Sequence, residues 1–350
     1  MTAPGERVLV LGTGPFARCI VEGLRAQARA RTTFGLAGER PAEPFPPGCP
    51  LLGPLGHLDR ILASFRPHRI VVALEERRGR LAARPLLDSR VRGVVVEDGV
   101  EVFERLTGKL AIESLAPSSL LFCTGFRRSR LHEAWARLLS VAVAGFGLVV
   151  LGPVMALVAL AIVLDSGRPV FFRQDRVGLH GRRFCLLKFR TMRPRVGPTS
   201  EWARDNGARI TRVGRWLRHF RLDELPQFLN VLTADMNLVG PRPHPVSNFR
   251  LFHERIPYYS LRSAIRPGVT GWAQVRYGYA NDLAEETEKM RYDLYYLKHR
   301  SLGLDLRILL DTVRVIALGR GAAAAPAVPW TEPAAGWRHA SAATEAEDVA

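Results

Sequence analysis

Residues 138–164 read LLSVAVAGFGLVVLGPVMALVALAIVL, and none of these 27 positions carries a charged side chain. That length would allow a transmembrane helix. However, Gly152-Pro153 interrupts the run, and the longer piece, 138–152, extends only about 22 Å at 1.5 Å per residue. The hydrocarbon core of a bilayer is roughly 30 Å thick. The stretch therefore favours two helical pieces separated by a break.

Basic residues flank this apolar run on both sides: Arg127, Arg128, Arg130 and Arg137 before it, and Arg168, Arg173 and Arg176 after it. Flanks rich in arginine tend to stay on the cytoplasmic side of a membrane. We therefore predict a re-entrant helix–break–helix over 126–168 that enters and leaves one leaflet. A single span kinked at the proline is the main alternative. A buried core helix is a weaker one, because such helices are rarely so long and so uniformly apolar.

The residues before the apolar run alternate between strand and helix patterns. An apolar strand, 7–11, is followed by Gly12-x-Gly14-x-x-Ala17 and a helical pattern, and further apolar runs occur at 33–37, 69–74 and 93–96. Such alternation predicts a doubly wound, Rossmann-like parallel sheet over 1–125. The glycines Gly12 and Gly14 stand where a dinucleotide phosphate would bind, although many such turns bind nothing.

Composition limits the function classes. A chain of 350 residues suggests about two domains, and its net charge of +17 points to anionic partners. The segment 166–222 contributes fifteen basic and three acidic residues, a net +12. Nucleic acid, anionic lipid and polyphosphate substrates all fit this charge, but nucleic-acid binding leaves the apolar run unexplained. We expect no nucleic-acid partner. The four scattered cysteines indicate reduced thiols without a metal or disulfide pattern.

The stretch 221–245, RLDELPQFLNVLTADMNLVGPRPHP, carries the chemistry. Asp223 and Glu224 precede an apolar periodicity from Leu225 to Met236 that predicts an amphipathic helix, with both carboxylates at its start. Adjacent carboxylates behind a cationic segment suit a metal ion or a phosphate ester, and a helix N-terminus favours phosphoryl oxygens. A hairpin is predicted over 170–177 and 183–192, whose second strand presents Phe184, Leu186, Lys188 and Arg190 on one face.

Four motifs together resemble the bacterial sugar transferases: KFRTM (188–192), RLDELPQFLNVL (221–232), DMNLVGPRP (235–243) and RPGVTGWAQV (266–275). These enzymes are monotopic polyprenyl-phosphate sugar phosphotransferases. The resemblance covers roughly 130–320 and is closest to the long exopolysaccharide-type members, which carry a Rossmann-like domain ahead of the catalytic part. It implies an α/β chain in which that N-terminal sheet is followed by a re-entrant membrane helix and a mixed α+β catalytic domain over 169–320.

The resemblance also implies a reaction. Sugar-1-phosphate would pass from a UDP-sugar to undecaprenyl phosphate, with release of UMP, at the cytoplasmic face of the inner membrane, and this transfer would start an exopolysaccharide. Asp223 would be the nucleophile that forms a covalent phosphosugar intermediate, and Glu224 would hold Mg²⁺. Phosphoryl transfer depends on positioning and charge neutralisation. We therefore expect Lys188, Arg190, Arg218 and Arg242 to contact phosphate and to keep Asp223 ionised.

Several alternatives stay open. Arg218 suits a lipid phosphate as well as a substrate phosphate. The amphipathic helix over 301–318 suits a homodimer interface or a lipid surface, and the Ala- and Pro-rich tail 321–350 is predicted to be disordered. The alternative function is a catalytically silent, membrane-bound nucleotide sensor that uses Gly12–Ala17. The sequence does not identify the transferred sugar.

Overall fold

The computed structural model describes residues 5–28, 31–41, 44–74, 82–112, 125–126, 129–193, 209–277, 280 and 282–317. They form two compact units, one that ends at Gly108 and one that begins at Lys109. The tail predicted to be disordered lies outside the described residues, as do Cys123, Arg127 and Arg128.

The first unit is built on a five-stranded sheet with strand order β3-β2-β1-β4-β5, in which all paired strands are parallel. Its strands are β1 (Arg7–Leu11), β2 (Thr33–Ala37), β3 (Leu51–Gly53), β4 (Arg69–Val72) and β5 (Val95–Asp98). Its helices are α1 (Pro15–Gln27), α2 (Leu58–Phe65), α3 (Ala83–Val91) and α4 (Gly99–Thr107). The predicted Rossmann-like sheet is confirmed.

The division between the units falls earlier than the boundary near 125 that the sequence suggests. The backbone N–H of Leu110 donates to the carbonyl of Arg291 at 3.0 Å, deep in the second unit. Leu110, Ala111 and Ile112 are all buried. Apolar side chains that pack on the C-terminal unit therefore place residues after 108 with that unit.

The second unit begins, after residues 109–112, with the long helix α5 (Arg130–Ser166) and an antiparallel hairpin, as predicted. The hairpin strands are β6 (Phe171–Val177) and β7 (Arg183–Phe189). They are followed by α6 (Arg212–His219), α7 (Gln227–Leu232), β8 (Asn237–Val239), α8 (Val246–Arg255), β9 (Gly268–Thr270), α9 (Trp272–Arg276), α10 (Leu283–His299) and α11 (Leu302–Ala317). The short strands β8 and β9 pair in parallel.

Helix α5 runs unbroken for 37 residues and contains Pro153. The predicted break at Gly152-Pro153 is therefore wrong at the level of secondary structure. A proline removes one hydrogen bond and crowds the preceding turn, but the helical residues on both sides keep their own bonds. The path of this helix through a membrane stays a prediction.

Most of α5 does not pack against protein. Among the described residues, α5 is the one helix that is long and apolar enough to cross a membrane. Only 11% of its most apolar 18-residue window is buried. Phe146, Val149, Leu157 and Leu164 are all largely exposed. A soluble helix would bury such a face, so this surface is suited to contact with lipid.

The buried side of α5 contacts the second unit at two places. Ala144 belongs to a cluster with Leu186, Val231 and Met236. Nearby, a Cβ at Gly147 would lie 2.7 Å from the Phe228 ring, so glycine lets α7 approach the helix closely. A second cluster joins Val158 and Ile162 of α5 to Phe189 and Leu217.

Candidate active site

Asp223 and Glu224 lie in a 3₁₀ turn, Leu222–Glu224, that precedes α7. The apolar periodicity predicted one longer helix with both carboxylates in its first turn. That prediction is wrong: α7 begins at Gln227 and has six residues. The carboxylates are therefore positioned by the turn and by the side chains around it, and the dipole of so short a helix has little part in the site.

Helix α7 ends early because the chain reverses after Leu232. Ala234 adopts the left-handed backbone conformation, with φ of 69°. The N–H groups of Asp235 and Met236 both donate to the carbonyl of Asn230 at 3.1 Å. Met236, which the periodicity assigned to the helix, is fully buried beyond its end.

Three basic side chains surround the Glu224 carboxylate. Lys188 Nζ and Arg242 Nη2 lie 3.0 and 2.8 Å from Oε1, and Arg221 Nη1 lies 3.7 Å from Oε2. Glu224 is itself buried. The structure thus brings together Lys188, Glu224 and Arg242 from three separate motifs. The phosphate contacts expected of Lys188 and Arg242 stay a prediction.

This cluster changes the protonation of its members. Burial alone would raise the pKa of Glu224, but Lys188, Arg242 and Arg221 outweigh it, and the pKa lies well below its usual range. Burial lowers the pKa of Lys188 to about 8, and the attraction of Glu224 only partly opposes that shift. Glu224 is consequently a stable anion, whereas the charge of Lys188 is sensitive to mildly alkaline pH.

Asp223 is in a different situation from its neighbour. Burial and the adjacent Glu224 raise its pKa, and Lys188, Arg218 and Arg242 offset this only in part. The direction of this shift is opposite to the one that the nearby cations alone would produce, and the expectation that they keep Asp223 ionised stays a prediction. Within the described part of the chain, no hydrogen bond or ion pair engages its carboxylate. It is the member of the acidic pair that is left open for a further partner.

Arg190 is not brought to the carboxylates. Strand β7 ends at Phe189, and the buried Arg190 guanidinium turns towards the C-terminus of α5. It donates to the carbonyl oxygens of Ser166 at 2.9 Å and Arg168 at 3.0 Å, and also to that of Gly167. The predicted phosphate contact is corrected here: these carbonyls, left without partners where the helix ends, occupy the guanidinium.

Arg218 is exposed near the end of α6, close enough to Asp223 to affect its pKa. Two aromatic side chains beside it are also exposed, and the rings of Trp216 and Phe220 stack with centroids 5.6 Å apart. A cation next to exposed aromatic rings suits either a lipid or a substrate phosphate, so both roles predicted for Arg218 stay open.

Residues 131–319, more than half of the chain, match the family described as "Bacterial sugar transferase". The match includes the helix α5 and the whole Lys188–Glu224–Arg242 cluster. The chain belongs to the bacterial sugar transferase family. The resemblance that the four motifs suggested is thus confirmed.

Curated relatives of this sugar transferase carry specific names. The chain is 39% identical over 223 residues to the UDP-N-acetylgalactosamine-undecaprenyl-phosphate N-acetylgalactosaminephosphotransferase of Aeromonas hydrophila, a match that covers 63% of this chain and 52% of the relative. It is 44% identical over 171 residues to the UDP-glucose:undecaprenyl-phosphate glucose-1-phosphate transferase of Xanthomonas campestris pv. campestris, which covers 47% of this chain and 35% of the relative.

A relative of the same printed name from Caulobacter vibrioides is 45% identical over 180 residues, which covers 51% of this chain and 67% of that protein. This sugar transferase thus spans about half or less of the length of the first two relatives. Because their names differ in the sugar, membership of the family leaves the sugar open.

Asn230 belongs to the site of this sugar transferase although its position in an apolar run gave no functional signal. Its buried side chain accepts from the Leu187 N–H at 3.0 Å and donates to the Cys185 carbonyl at 2.8 Å. These two bonds join α7 to the edge of β7 on either side of Leu186. They set the register that aligns Lys188 with Glu224.

Two further side chains of the transferase site were not predicted. Arg221, the third cation at Glu224, precedes Asp223 by two residues. This nearness to the acidic pair in sequence was a usable signal. Gln274 accepts from Arg242 Nη1 at 3.5 Å, and its own Nε2 is buried without a hydrogen-bond partner. Gln274 lies in the motif 266–275, and that membership was a usable signal, although it does not indicate the contact with Arg242.

The acidic pair of the transferase has the chemistry that a magnesium ion requires. Mg²⁺ takes oxygen ligands, commonly one or two carboxylates together with water and substrate phosphates. Asp223 offers oxygens without a protein partner, and Glu224 is a permanent anion beside it. In the described ranges no group of three or more His, Cys, Asp or Glu side chains could hold a metal. The two carboxylates therefore supply only part of the oxygen ligands that such an ion takes.

The glycine turn of the N-terminal unit has a packing explanation. Gly12 has φ of 128°, and a Cβ there would lie 2.4 Å from the Ala73 carbonyl oxygen. Glycine is thus required by the contact between the turn and the end of β4. Gly14 directly precedes α1 with ordinary extended backbone. Nucleotide binding at Gly12 and Gly14 stays a prediction that this geometry does not require.

Proposed function

We propose that the protein transfers sugar-1-phosphate from a UDP-sugar to undecaprenyl phosphate, releases UMP and initiates exopolysaccharide biosynthesis. The observation that carries the proposal is the open carboxylate of Asp223 beside a Glu224 that is ion-paired to Lys188 and Arg242. Membership of the sugar transferase family and the printed names of the relatives support the same reaction.

In the first step, a carboxylate oxygen of Asp223 attacks the phosphorus that bears the sugar. The bond from that phosphorus to the bridging oxygen breaks, and UMP leaves with the electron pair. The sugar phosphate is now held as an acyl phosphate on Asp223. Attack on a diphosphate brings negative charges together, so the reaction depends on cations that are already in place.

In the second step, an oxygen of undecaprenyl phosphate attacks the same phosphorus. The bond to Asp223 breaks and the carboxylate is regenerated, which leaves the sugar on a lipid diphosphate. Neither of the two half-reactions consumes water. Exclusion of water from the site would therefore protect the acyl phosphate from hydrolysis without hindering the transfer.

The residues of the cluster have separate tasks in this scheme. Lys188 and Arg242 offset the charge of the phosphates, and Glu224 keeps both cations oriented. Glu224 would hold Mg²⁺, which would supply divalent charge for the phosphoryl oxygens. Lys188, Arg218 and Arg242 favour the ionised form of Asp223 that a nucleophile needs, against the effects of burial and of Glu224 on its pKa.

The membrane enters the proposal through α5. Its exposed apolar face would lie in the cytoplasmic leaflet of the inner membrane and would keep the active site near the lipid substrate. Exposed Trp216 and Phe220, next to Arg218, suit the interface where apolar chains meet phosphate groups.

The experiment is an assay of UMP release from a panel of UDP-sugars with undecaprenyl phosphate and Mg²⁺. We expect release with one or a few UDP-sugars, and a covalent sugar phosphate on the peptide that contains Asp223 when the lipid acceptor is omitted. Release of UMP without any adduct on that peptide would contradict the covalent step. A lack of release with every donor would favour the nucleotide sensor.

A further inference from the structure

Arg242 is held at its backbone as well as at its side chain. Prolines 241 and 243 on either side lack an N–H, so the segment depends on bonds to its carbonyl groups. The Pro241 carbonyl accepts from the Gly268 N–H at 2.9 Å, and the Pro243 carbonyl accepts from Arg176 Nη1 at 2.9 Å. The Arg242 carbonyl accepts from Arg262 Nη2 at 3.0 Å. A second guanidinium therefore holds the residue whose own guanidinium reaches Glu224.

Arg262 is almost completely buried and is oriented by acidic residues of α10. Its Nη2 lies 2.6 Å from Asp293 Oδ2, and its Nη1 lies 3.4 Å from Glu286 Oε1. Lys289, on the same face of α10, lies 3.2 Å from Glu286 Oε2. Tyr259 accepts a further bond from Arg262 Nη1. All these side chains have less than a tenth of their surface exposed.

A cluster of buried charges contributes little net stability to a fold, because burial removes the charges from water. Each buried ion loses several kcal/mol of hydration, and apolar side chains of similar volume often stabilise as well or better. The buried charges do fix the orientation of the Arg262 guanidinium. One of its nitrogens, Nη2, contacts both the Asp293 carboxylate and the Arg242 carbonyl.

We infer that Arg262 is a positioning residue: by holding the Arg242 carbonyl, it directs the Arg242 guanidinium onto Glu224, and Asp293 and Glu286 set its own orientation. This inference rests on the proposed function, since the orientation of the Arg242 guanidinium affects the rate of that reaction. Arg242 Nη2 lies 2.8 Å from Glu224 Oε1, and small displacements of a group that orients charge cost large factors in rate.

The test is a double-mutant cycle in kcat with Arg262→Lys and Arg242→Ala. Lysine keeps the charge but lacks the fork, so Arg262→Lys should lower kcat by about tenfold. On the Arg242→Ala background the same change should cost less than twofold, because the residue through which it acts is gone. An equal cost on both backgrounds would overturn the inference.

A matched control separates positioning from folding. Lys289→Met removes another buried charge from the same cluster, and the described contacts of Lys289 do not include the 241–243 segment. We expect it to lower the thermal unfolding temperature at least as much as Arg262→Lys while kcat stays within twofold. Loss of kcat in proportion to loss of stability in both variants would mean that Arg262 acts only through the fold.

A readout that needs no turnover distinguishes this inference from the proposed function. Crystal structures of the variants report directly how Arg242 is oriented towards Glu224. In Arg262→Lys the Arg242 guanidinium should move away from Glu224 Oε1, whereas in Lys289→Met it should keep the 2.8 Å contact. An unchanged Arg242–Glu224 contact in Arg262→Lys contradicts the positioning role, whereas an inactive wild-type protein contradicts only the proposed reaction.

Discussion

Lys188 Nζ lies 3.0 Å from Glu224 Oε1, and this ion pair joins strand β7 to the turn that carries the acidic pair. The two residues are 36 positions apart and belong to different motifs. Lys188 and Arg242 both pair with the same oxygen of Glu224, while Asp223 next to it has an open carboxylate. Two adjacent acids thus have different environments, an arrangement that suits the separate roles proposed for them.

Replacement of Asp223 by alanine should abolish turnover. In the proposed covalent scheme Asp223 supplies the carboxylate oxygen that attacks the phosphorus. Without it, kcat should fall by about a thousandfold or more. UMP release measures the loss, and mass spectrometry of the donor-only reaction should show no sugar phosphate on the protein. Asp59→Ala, at an exposed position of the N-terminal unit, is the matched control and should be fully active. Retained turnover in Asp223→Ala would remove the nucleophile from this position.

The activity should have an alkaline limb that Lys188 sets. The lysine is charged below its lowered pKa of about 8 and becomes neutral above it, so phosphate neutralisation is lost as the pH rises through 8. Because kcat/KM reports the free enzyme, it should fall above that pH. Lys188→Arg should move the limb beyond pH 10, since arginine stays charged. An unchanged limb in this variant would assign it to another group.

Arg190→Met should affect the fold more than substrate binding. The guanidinium satisfies carbonyls at the end of α5, and the loss of buried bonds to a charged donor should cost about 3 kcal/mol of unfolding free energy. The KM for the UDP-sugar should stay within about twofold. A large rise of KM at unchanged thermal stability would instead support the phosphate contact that the sequence suggested.

Removal of divalent metal should stop the reaction reversibly. Chelation with EDTA should abolish UMP release, and Mg²⁺ should restore it, because the two carboxylates complete an ion site only with the substrate. Glu224→Gln should need a higher Mg²⁺ concentration for half-maximal rate. Full activity of EDTA-treated, metal-free protein would show that the basic residues alone neutralise the phosphates.

The two ends of α5 should be accessible from the same side of the membrane. Single cysteines at Ser129 and Gly167, on a background without the native cysteines, should both react with an impermeant maleimide in inside-out vesicles and not in intact spheroplasts. This outcome is expected of a re-entrant helix with basic flanks in the cytoplasm. Labelling of the two positions from opposite sides would establish a single span.

Much of the architecture follows from short-range patterns. The alternation of apolar strands with helical periodicity predicted the parallel sheet, and turn glycines between two apolar runs predicted the β6–β7 hairpin. Local patterns failed where a distant contact competed with them. The periodicity through Met236 predicted a longer α7, but the left-handed Ala234 and the bonds to the Asn230 carbonyl end the helix.

The sequence by itself determined the elements, the apolar helix and the identity of the acidic pair, because these depend on residues that are neighbours along the chain. Only the tertiary structure decided the partners of the charges. Lys188 and Arg190 are two residues apart, yet one reaches Glu224 and the other caps α5. Arg262 carries no signal in sequence and is nevertheless the support of Arg242. The partner of a charge depends on which elements cross and in which register, and that geometry is absent from local spacing.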